Sequence, residues 1–141
     1  MSARLVDPDL FDGYPDALAL AGSRCNACGA VTFPAQLSCA RCTSTDVARH
    51  PLATTGTIWG YTIQGFPPKT PYLAAEATFT PFGVGYVELG GEVLVETRIV
   101  SDALDRLHIG MPVELVLEPF HHDADGTAVL TFAFSPTRGQ A

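Results

Sequence analysis

The sequence predicts a mainly β protein in which a short N-terminal helix and a small metal-binding ribbon precede a five-stranded barrel. Two observations lead to this prediction. All four cysteines fall into two CxxC pairs in the first third of the chain. From Thr54 onward, short runs rich in β-branched and aromatic residues alternate apolar with polar positions, as half-buried strands do.

Length and charge limit the classes of function. At 141 residues the chain forms one domain or two small ones, and a hydrophobic content of 47% allows a real core. No apolar run approaches the ~20 residues of a membrane span, and the first residues lack a secretory signal, so we expect a cytoplasmic protein. The net charge of −7, with Lys69 as the single lysine, counts against binding to nucleic-acid phosphates.

Residues 1–16 are expected to form an N-terminal helical segment. Asp7 is a good helix cap and Pro8 suits the first helical position. Leu10, Phe11 and Tyr14 then fall three or four residues apart, on one helix face. These aromatic residues either pack on the ribbon or dock on a partner, and the sequence leaves both possibilities open.

The two CxxC pairs predict one four-thiolate metal site, with ten residues between the pairs. Each CxxC turn presents two sulfurs on one side of the backbone, and two such turns complete the tetrahedron that suits zinc. The predicted ligands are Cys25, Cys28, Cys39 and Cys42. Four thiolates leave no open coordination position, so we expect structural zinc and not a reaction centre. Gly29 follows the first turn, whereas Thr43 takes that place after the second, a departure that a strained turn could absorb.

The four cysteines allow other interpretations. Two disulfides are unsupported without a secretory signal, and a thioredoxin-type redox site has a single CxxC at a helix start. Iron in a rubredoxin-like site fits the same ligands. His50, beside Arg49, is expected to be a surface histidine, because four cysteines already complete the shell.

The ribbon is predicted over residues 17–51, with strands at residues 17–24, 31–33 and 47–50. It is too small to hold itself by core burial, so metal must supply its stability. The barrel is predicted over residues 52–137, followed by a tail at 138–141. Its expected strands cover residues 57–64, 84–89, 92–100, 113–118 and 128–134.

Local sequence signals predict the turns and connections of the barrel. Gly90-Gly91 between two alternating runs indicates a hairpin, in which Val93 faces the core and Glu96 faces out. Residues 102–108 form a short helical or turn connection between late strands. Among small five-stranded barrels, the OB-fold is the best match.

The motifs together resemble the DUF35 family, bacterial and archaeal proteins in which a rubredoxin-like zinc ribbon precedes an acyl-CoA-associated OB-fold. The resemblance runs from about Phe11 to Pro136. It rests on the motifs RCNACG, FP, CARC, GTI, GYVEL, IGMPV and FAFSP in this order, beginning with Arg24.

The resemblance implies an accessory subunit that partners a thiolase-fold enzyme such as a thiolase, retro-aldolase or C-acyltransferase. The resemblance implies that the partner carries the catalytic residues, and that this chain braces the complex and either helps to hold CoA or shapes an acyl channel. Two other functions remain open: an independent CoA or acyl-CoA binding module, and a single-stranded nucleic-acid OB-fold that would use Trp59, Tyr61 and Phe66.

The sequence offers no catalytic residues of its own. There is no phosphate-binding glycine loop and no cysteine outside the CxxC pairs. His121, His122, Asp123 and Asp125 are expected to form a solvated polar turn. The predicted CoA site is the stiff, proline-rich loop of residues 65–71. There, Lys69 is expected to contact a phosphate, and Phe66 or Trp59 to contact adenine or pantetheine. The same loop could instead pack against the partner.

Overall fold

A computed structural model describes residues 3–67, 69 and 78–137. Within these residues, ten β-strands form two sheets, and the helical content is two single turns of 3₁₀ helix. The mainly β prediction is therefore confirmed. None of the helical turns in the described ranges is long or apolar enough to cross a membrane. Pro68, Thr70 and Pro71 of the predicted loop, and the predicted tail at 138–141, lie outside the described residues.

The N-terminal segment contains two short strands and one 3₁₀ turn: β1 (Ala3–Leu5), the turn Pro8–Leu10 and β2 (Phe11–Asp12). The Asp7 carboxylate accepts a hydrogen bond from the Asp9 backbone N–H at 3.0 Å, so the predicted cap is present. The helix is one turn long, because Phe11 is extended and pairs with Leu20.

The ribbon is a small antiparallel sheet of β3 (Ala19–Cys25), β4 (Val31–Thr32) and β5 (Val47–Pro51). The central strand is β3. It pairs with β2 and β4 along one edge and with β5 along the other. These are the three ribbon strands that the sequence predicts, and they carry the CxxC turns at their ends.

Five longer strands close into a barrel: β6 (Thr55–Gln64), β7 (Phe82–Leu89), β8 (Val93–Ile99), β9 (Pro112–His122) and β10 (Ala128–Pro136). The order around the barrel is β6-β7-β8-β10-β9 and back to β6. All neighbours are antiparallel except β8 and β10. This closed order with one parallel pair is the OB-fold topology, as predicted. The boundaries of the predicted domains stay a prediction.

The β7–β8 hairpin follows the sequence pattern closely. Gly90 and Gly91 have φ values of 58° and 68°, as a type I′ turn requires. Along β8, Val95 and Ile99 are buried whereas Glu96 is exposed. The predicted alternation is therefore confirmed.

The β9–β10 hairpin differs from the prediction in one respect. His121 and His122 belong to β9 and pair with Val129 and Ala128, so the polar turn begins only at Asp123. The alternating pattern had ended the strand at residue 118, but pairing with β10 extends it. The extended part of this hairpin also receives β1, which runs parallel to β10.

One apolar core runs from the ribbon into the barrel. Phe11, Leu20 and Leu52 share a buried cluster with barrel residues such as Ile58 and Phe134. Phe11 is 4% exposed, so it packs within the chain, whereas Tyr14 remains 43% exposed. Of the two possibilities for these aromatic residues, packing within the chain holds for Phe11.

Candidate functional site

The structure brings the four cysteines together at the end of the ribbon. Their sulfur atoms all lie within 4.8 Å of one another, with Cys25 and Cys42 Sγ 3.5 Å apart and Cys28 and Cys39 Sγ 3.6 Å apart. A Zn–S bond of about 2.3 Å puts neighbouring sulfurs about 3.8 Å apart in a tetrahedron. The four free thiols therefore fit one zinc ion.

Backbone N–H groups point at the sulfurs and favour their thiolate forms. The Cys28 N–H contacts Cys25 Sγ at 3.4 Å and lowers the pKa of Cys25. The Ala30 N–H lowers the pKa of the Cys28 thiol to about 6. Because the thiolate is the form that binds metal, this arrangement suits a cation-binding cluster.

The pKa of Cys42 reflects how closely the four sulfur atoms lie to one another. The Ser44 N–H favours the thiolate of Cys42, but the hydrogen bond with Cys25 and the burial outweigh it and raise the pKa of Cys42 to about 12. Four negative sulfurs in contact repel one another unless a cation lies among them. A zinc ion held by Cys25, Cys28, Cys39 and Cys42 would supply that charge.

The two CxxC turns have the same backbone geometry. Gly29 has a φ of 81° and donates its N–H to the Cys25 carbonyl at 2.8 Å. Thr43 has a φ of 65° and donates to the Cys39 carbonyl, also at 2.8 Å. A β-branched residue is strained in this left-handed region, so Thr43 carries strain that Gly29 does not.

Polar side chains tie the two turns together, and the sequence pattern did not reveal them. Asn26 Nδ2 donates to Asp46 Oδ1 at 3.0 Å, and the Asn26 N–H donates to the Asp46 carbonyl at 2.8 Å. Arg41 Nη2 donates to the Cys28 carbonyl at 2.6 Å. In the sequence, Asn26 and Arg41 lie inside the CxxC pairs, whereas Asp46 follows Cys42 by four residues.

His50, which was expected at the surface, is half-buried and does not belong to the cysteine cluster. Its Nε2 is 2.9 Å from Glu92 Oε2, and this contact joins the ribbon strand β5 to the turn of the β7–β8 hairpin. The histidine thus links the two parts of the fold.

The predicted polar turn after β9 forms contacts within the chain. Asp123 pairs with Arg4 at 3.2 Å, and Asp125 accepts a hydrogen bond from the Thr127 N–H at 2.9 Å. That N–H lowers the pKa of Asp125. Among the described residues, the cysteines form the one cluster whose ligand atoms converge, so these carboxylates and histidines do not form a second site.

The three predicted CoA contacts lie along and beyond β6. Trp59 is 58% exposed on the outer barrel face, with its ring 6.3 Å from that of Tyr86 in a T-shaped contact. Phe66 is 72% exposed and, like the exposed Lys69, lies past the end of the strand. Tyr61, considered above for nucleic acid, donates its hydroxyl to the Leu107 carbonyl at 2.7 Å. CoA contact at Lys69, Phe66 and Trp59 stays a prediction.

A cavity of about 490 Å³ lies between the ends of β8 and β9. Arg98 stacks over the Phe82 ring at 4.0 Å and reaches Glu118 at 3.5 Å. Burial raises the pKa of Glu118, and the Arg98 charge opposes that shift. The lining holds no cysteine, and the arginine is engaged by its own carboxylate and ring. Its described lining also includes the hydroxyl groups of Ser101 and Ser135 and the imidazole of His122.

Comparison with known proteins identifies the family. Residues 16–48 match the rubredoxin-like zinc ribbon domain of ChsH2, and residues 49–118 match the C-terminal OB-fold domain of ChsH2. The solved structure of an Ltp2-ChsH2(DUF35) aldolase contains a chain that is 30% identical, with 84% of each chain covered and a TM-score of 0.63. The chain belongs to the DUF35 family. This DUF35 protein therefore has a zinc ribbon, and its four cysteines hold structural zinc.

Two further relatives extend the comparison. The DUF35 domain-containing scaffold protein of Methanocaldococcus jannaschii is 29% identical over 119 residues, which cover 83% of this chain and 81% of the relative. The benzoylsuccinyl-CoA thiolase subunit BbsA of Thauera aromatica is 23% identical over 129 residues, covering 90% and 84%.

Proposed function

We propose that this DUF35 protein is a non-catalytic accessory subunit of a thiolase-fold complex that processes acyl-CoA substrates. The observation that carries the proposal is the similarity along 84% of both chains to a DUF35 chain of an aldolase structure. The relative from Thauera aromatica is itself named as a thiolase subunit, and the one from Methanocaldococcus jannaschii as a scaffold protein. The catalytic residues then lie on the thiolase-like partner.

The chemistry of the described residues supports this role. Thiolase-type chemistry needs a nucleophile with a base in reach. All four cysteines of the chain belong to the zinc cluster, whose four sulfurs complete the coordination shell. The metal thus stabilises the ribbon and leaves no position for a substrate.

Contact with CoA is a finer part of the proposal. We assign it to the loop after β6, where Lys69 would bind a phosphate and Phe66 would cover an apolar part of CoA. Trp59, within β6, would provide a second apolar contact. Prolines restrict this loop before binding, which lowers the ordering cost. Lys69 is the single lysine of a chain that also has seven arginines, and it is exposed three residues along the chain from the exposed Phe66.

An independent acyl-CoA binding module is the second candidate, and the exposed Phe66 and Lys69 would serve it equally well. The two candidates differ in whether a catalytic subunit is bound. A nucleic-acid-binding function has less support, because the exposed Trp59 and Tyr86 have acidic Glu88 and Glu96 beside them.

Co-expression tests the proposal. The affinity-tagged chain is produced together with each thiolase-fold protein encoded by its own genome, and the purified material is analysed by size-exclusion chromatography with light scattering. We expect one of these proteins to co-elute in a defined ratio. If the chain elutes alone in every pairing yet binds acyl-CoA by calorimetry, the independent-module interpretation replaces the accessory role.

A further inference from the structure

The outer face of strands β6, β7 and β8 exposes a band of large apolar side chains. We call it the outer apolar face and define it by Trp59, Tyr86, Leu94 and Ile109, which are 58%, 42%, 40% and 69% exposed. Tyr86 lies opposite Glu96 on β8, so Leu94 is its diagonal neighbour. The Gly110 N–H donates to the Ile58 carbonyl at 2.8 Å, which brings the Ile109 loop beside Trp59.

A β-bulge and a glycine give this face a notch. Trp59 is the extra residue where the register between β6 and β7 shifts, and Gly60 then pairs with Tyr86. A Cβ atom added at Gly60 would meet nothing within 4 Å, so the space above this residue is open. The recess measures about 390 Å³ and is lined by Gly60, Thr62, Val84, Tyr86 and Glu96, among others.

The backbone behind the notch is closely packed. A Cβ atom added at Gly85 would lie 2.1 Å from the Gly60 carbonyl oxygen and 2.9 Å from the Tyr61 Cβ. Tyr61 lies directly opposite Gly85 and is held by its hydrogen bond to Leu107. The floor of the notch is therefore firm, and a side chain that entered it would meet a preformed recess.

We propose that the outer apolar face seats the thiolase-like catalytic subunit, with an apolar side chain of that subunit in the notch at Gly60. This inference rests on the proposed function and names the surface it uses. Exposed aromatic residues around a preformed recess are typical of the residues that dominate binding energy at protein interfaces. The T-shaped contact between Trp59 and Tyr86 holds both rings in place before any partner arrives.

Charge decides the kind of occupant. Glu88 and Glu96 flank the apolar band on β7 and β8, and both are exposed. Glu96 also accepts a hydrogen bond from the Tyr86 hydroxyl at 3.3 Å. A second copy of this chain would place acidic residues against acidic residues, which is unfavourable. The fitting partner surface is therefore apolar at its centre, with arginine or lysine at its edge.

The decisive variant is Gly60→Leu, because it fills the notch from within. The backbone at Gly60 does not have a positive φ and nothing obstructs a side chain, so the barrel should tolerate the change. Ala48→Leu is the matched control, since it adds the same side chain at an exposed strand position on β5 of the ribbon. Far-ultraviolet circular dichroism, thermal melting and zinc content check that both variants fold.

The measurement is the dissociation constant for the thiolase-fold subunit that co-elutes with the wild-type chain. We expect Gly60→Leu to weaken binding by about 30-fold, as loss of a central interface contact does, and Ala48→Leu to bind like the wild type. Equal binding by folded Gly60→Leu would overturn this inference and leave the accessory role standing. Failure of the wild-type chain to bind any such subunit would instead defeat the proposed function.

Charge reversal gives an independent measurement if Gly60→Leu does not fold. Glu88→Lys should weaken binding by at least about fivefold at low salt and less at high salt, because an edge charge acts through screened attraction. Asp16→Lys, an exposed change on the ribbon, is the control. Unchanged binding by Glu88→Lys, or a wild-type homodimer that Glu88→Lys alters, would contradict the seating of a catalytic subunit on this face.

Discussion

Phe33 of the ribbon meets Phe132 of the barrel edge to face, with ring centroids 5.5 Å apart and ring planes at 89°. Phe11 approaches the same Phe132 ring at 6.4 Å. One barrel side chain thus contacts both the ribbon and the N-terminal segment. Because a ribbon of this size has little core of its own, this contact couples its stability to that of the barrel.

Phe132→Ala should uncouple the two parts. The ring is partly buried, so we expect a loss of about 2–3 kcal/mol, below the range for a fully buried phenylalanine. Urea unfolding is followed by Trp59 fluorescence for the barrel and by zinc release for the ribbon. The two transitions should coincide in the wild type and separate in the variant.

Phe120→Ala is the control for this prediction, because Phe120 is also a partly buried phenylalanine but its ring contacts that of His121. Its two transitions should stay together. Coincident transitions in Phe132→Ala would show that the aromatic contact does not couple ribbon and barrel.

Metal removal should unfold the ribbon first. Cys39→Ser takes one thiolate from a four-sulfur shell, and a structural zinc site contributes directly to folding. We expect about one zinc per wild-type chain by mass spectrometry of metals and far less in the variant, with faster proteolysis confined to the ribbon. Ser38→Ala is the control. A metal-free chain with a fully folded ribbon would refute the structural role.

Thr43→Gly should stabilise the protein. Thr43 holds a φ of 65°, which costs a non-glycine residue about 1–2 kcal/mol, and glycine removes that strain at some cost in chain entropy. We expect a net gain of about 0.5–1 kcal/mol in chemical denaturation of the zinc-loaded protein.

Gly29→Thr is the mirror experiment, since Gly29 occupies the same turn position with a φ of 81° and ordinary space for a Cβ atom. It should destabilise by about 1–2 kcal/mol. Destabilisation by Thr43→Gly would mean that the threonine side chain contributes more than its strain costs.

Much of the fold was predictable because local signals agree with it. The CxxC spacing, the Gly90-Gly91 turn and the alternation of β8 each act over a few residues, and each matches the structure. The bulge at Trp59 and the parallel pairing of β1 with β10 were not predicted. Both depend on partners far along the chain, such as Ala128 for Ala3, which a local pattern does not encode.

Of the candidate sites, the sequence predicts the zinc site, whereas only the structure shows the notch at Gly60. The zinc ligands can be predicted from the sequence, because pairs of cysteines at that spacing have few other functions. The notch at Gly60 is invisible in sequence, because it arises from a glycine that pairs across the sheet with Tyr86 and from the ring of Trp59 beside it. The pairing of Arg98 on β8 with Glu118 on β9 likewise joins residues far apart in the chain, and only the three-dimensional structure reveals it.

Lys69→Glu tests the predicted CoA contact. If Lys69 meets a CoA phosphate, reversing its charge should raise the KM for acyl-CoA by about tenfold in the assembled complex, whereas Lys69→Arg should behave like the wild type. Assembly, followed by size-exclusion chromatography, should not change. Equal kinetics for all three complexes would rule Lys69 out, and loss of assembly would assign the loop to partner docking.

The central claim is that this DUF35 protein assists a catalytic subunit and does not itself catalyse. The most direct test is acyl-CoA turnover by the purified chain, by its thiolase-fold partner, and by the two together, with zinc-loaded protein throughout. We predict no turnover by the chain alone, at most weak turnover by the partner alone, and at least about tenfold more by the complex, as the gain expected when an accessory subunit orders the site. Turnover by the chain purified free of any partner would contradict the account.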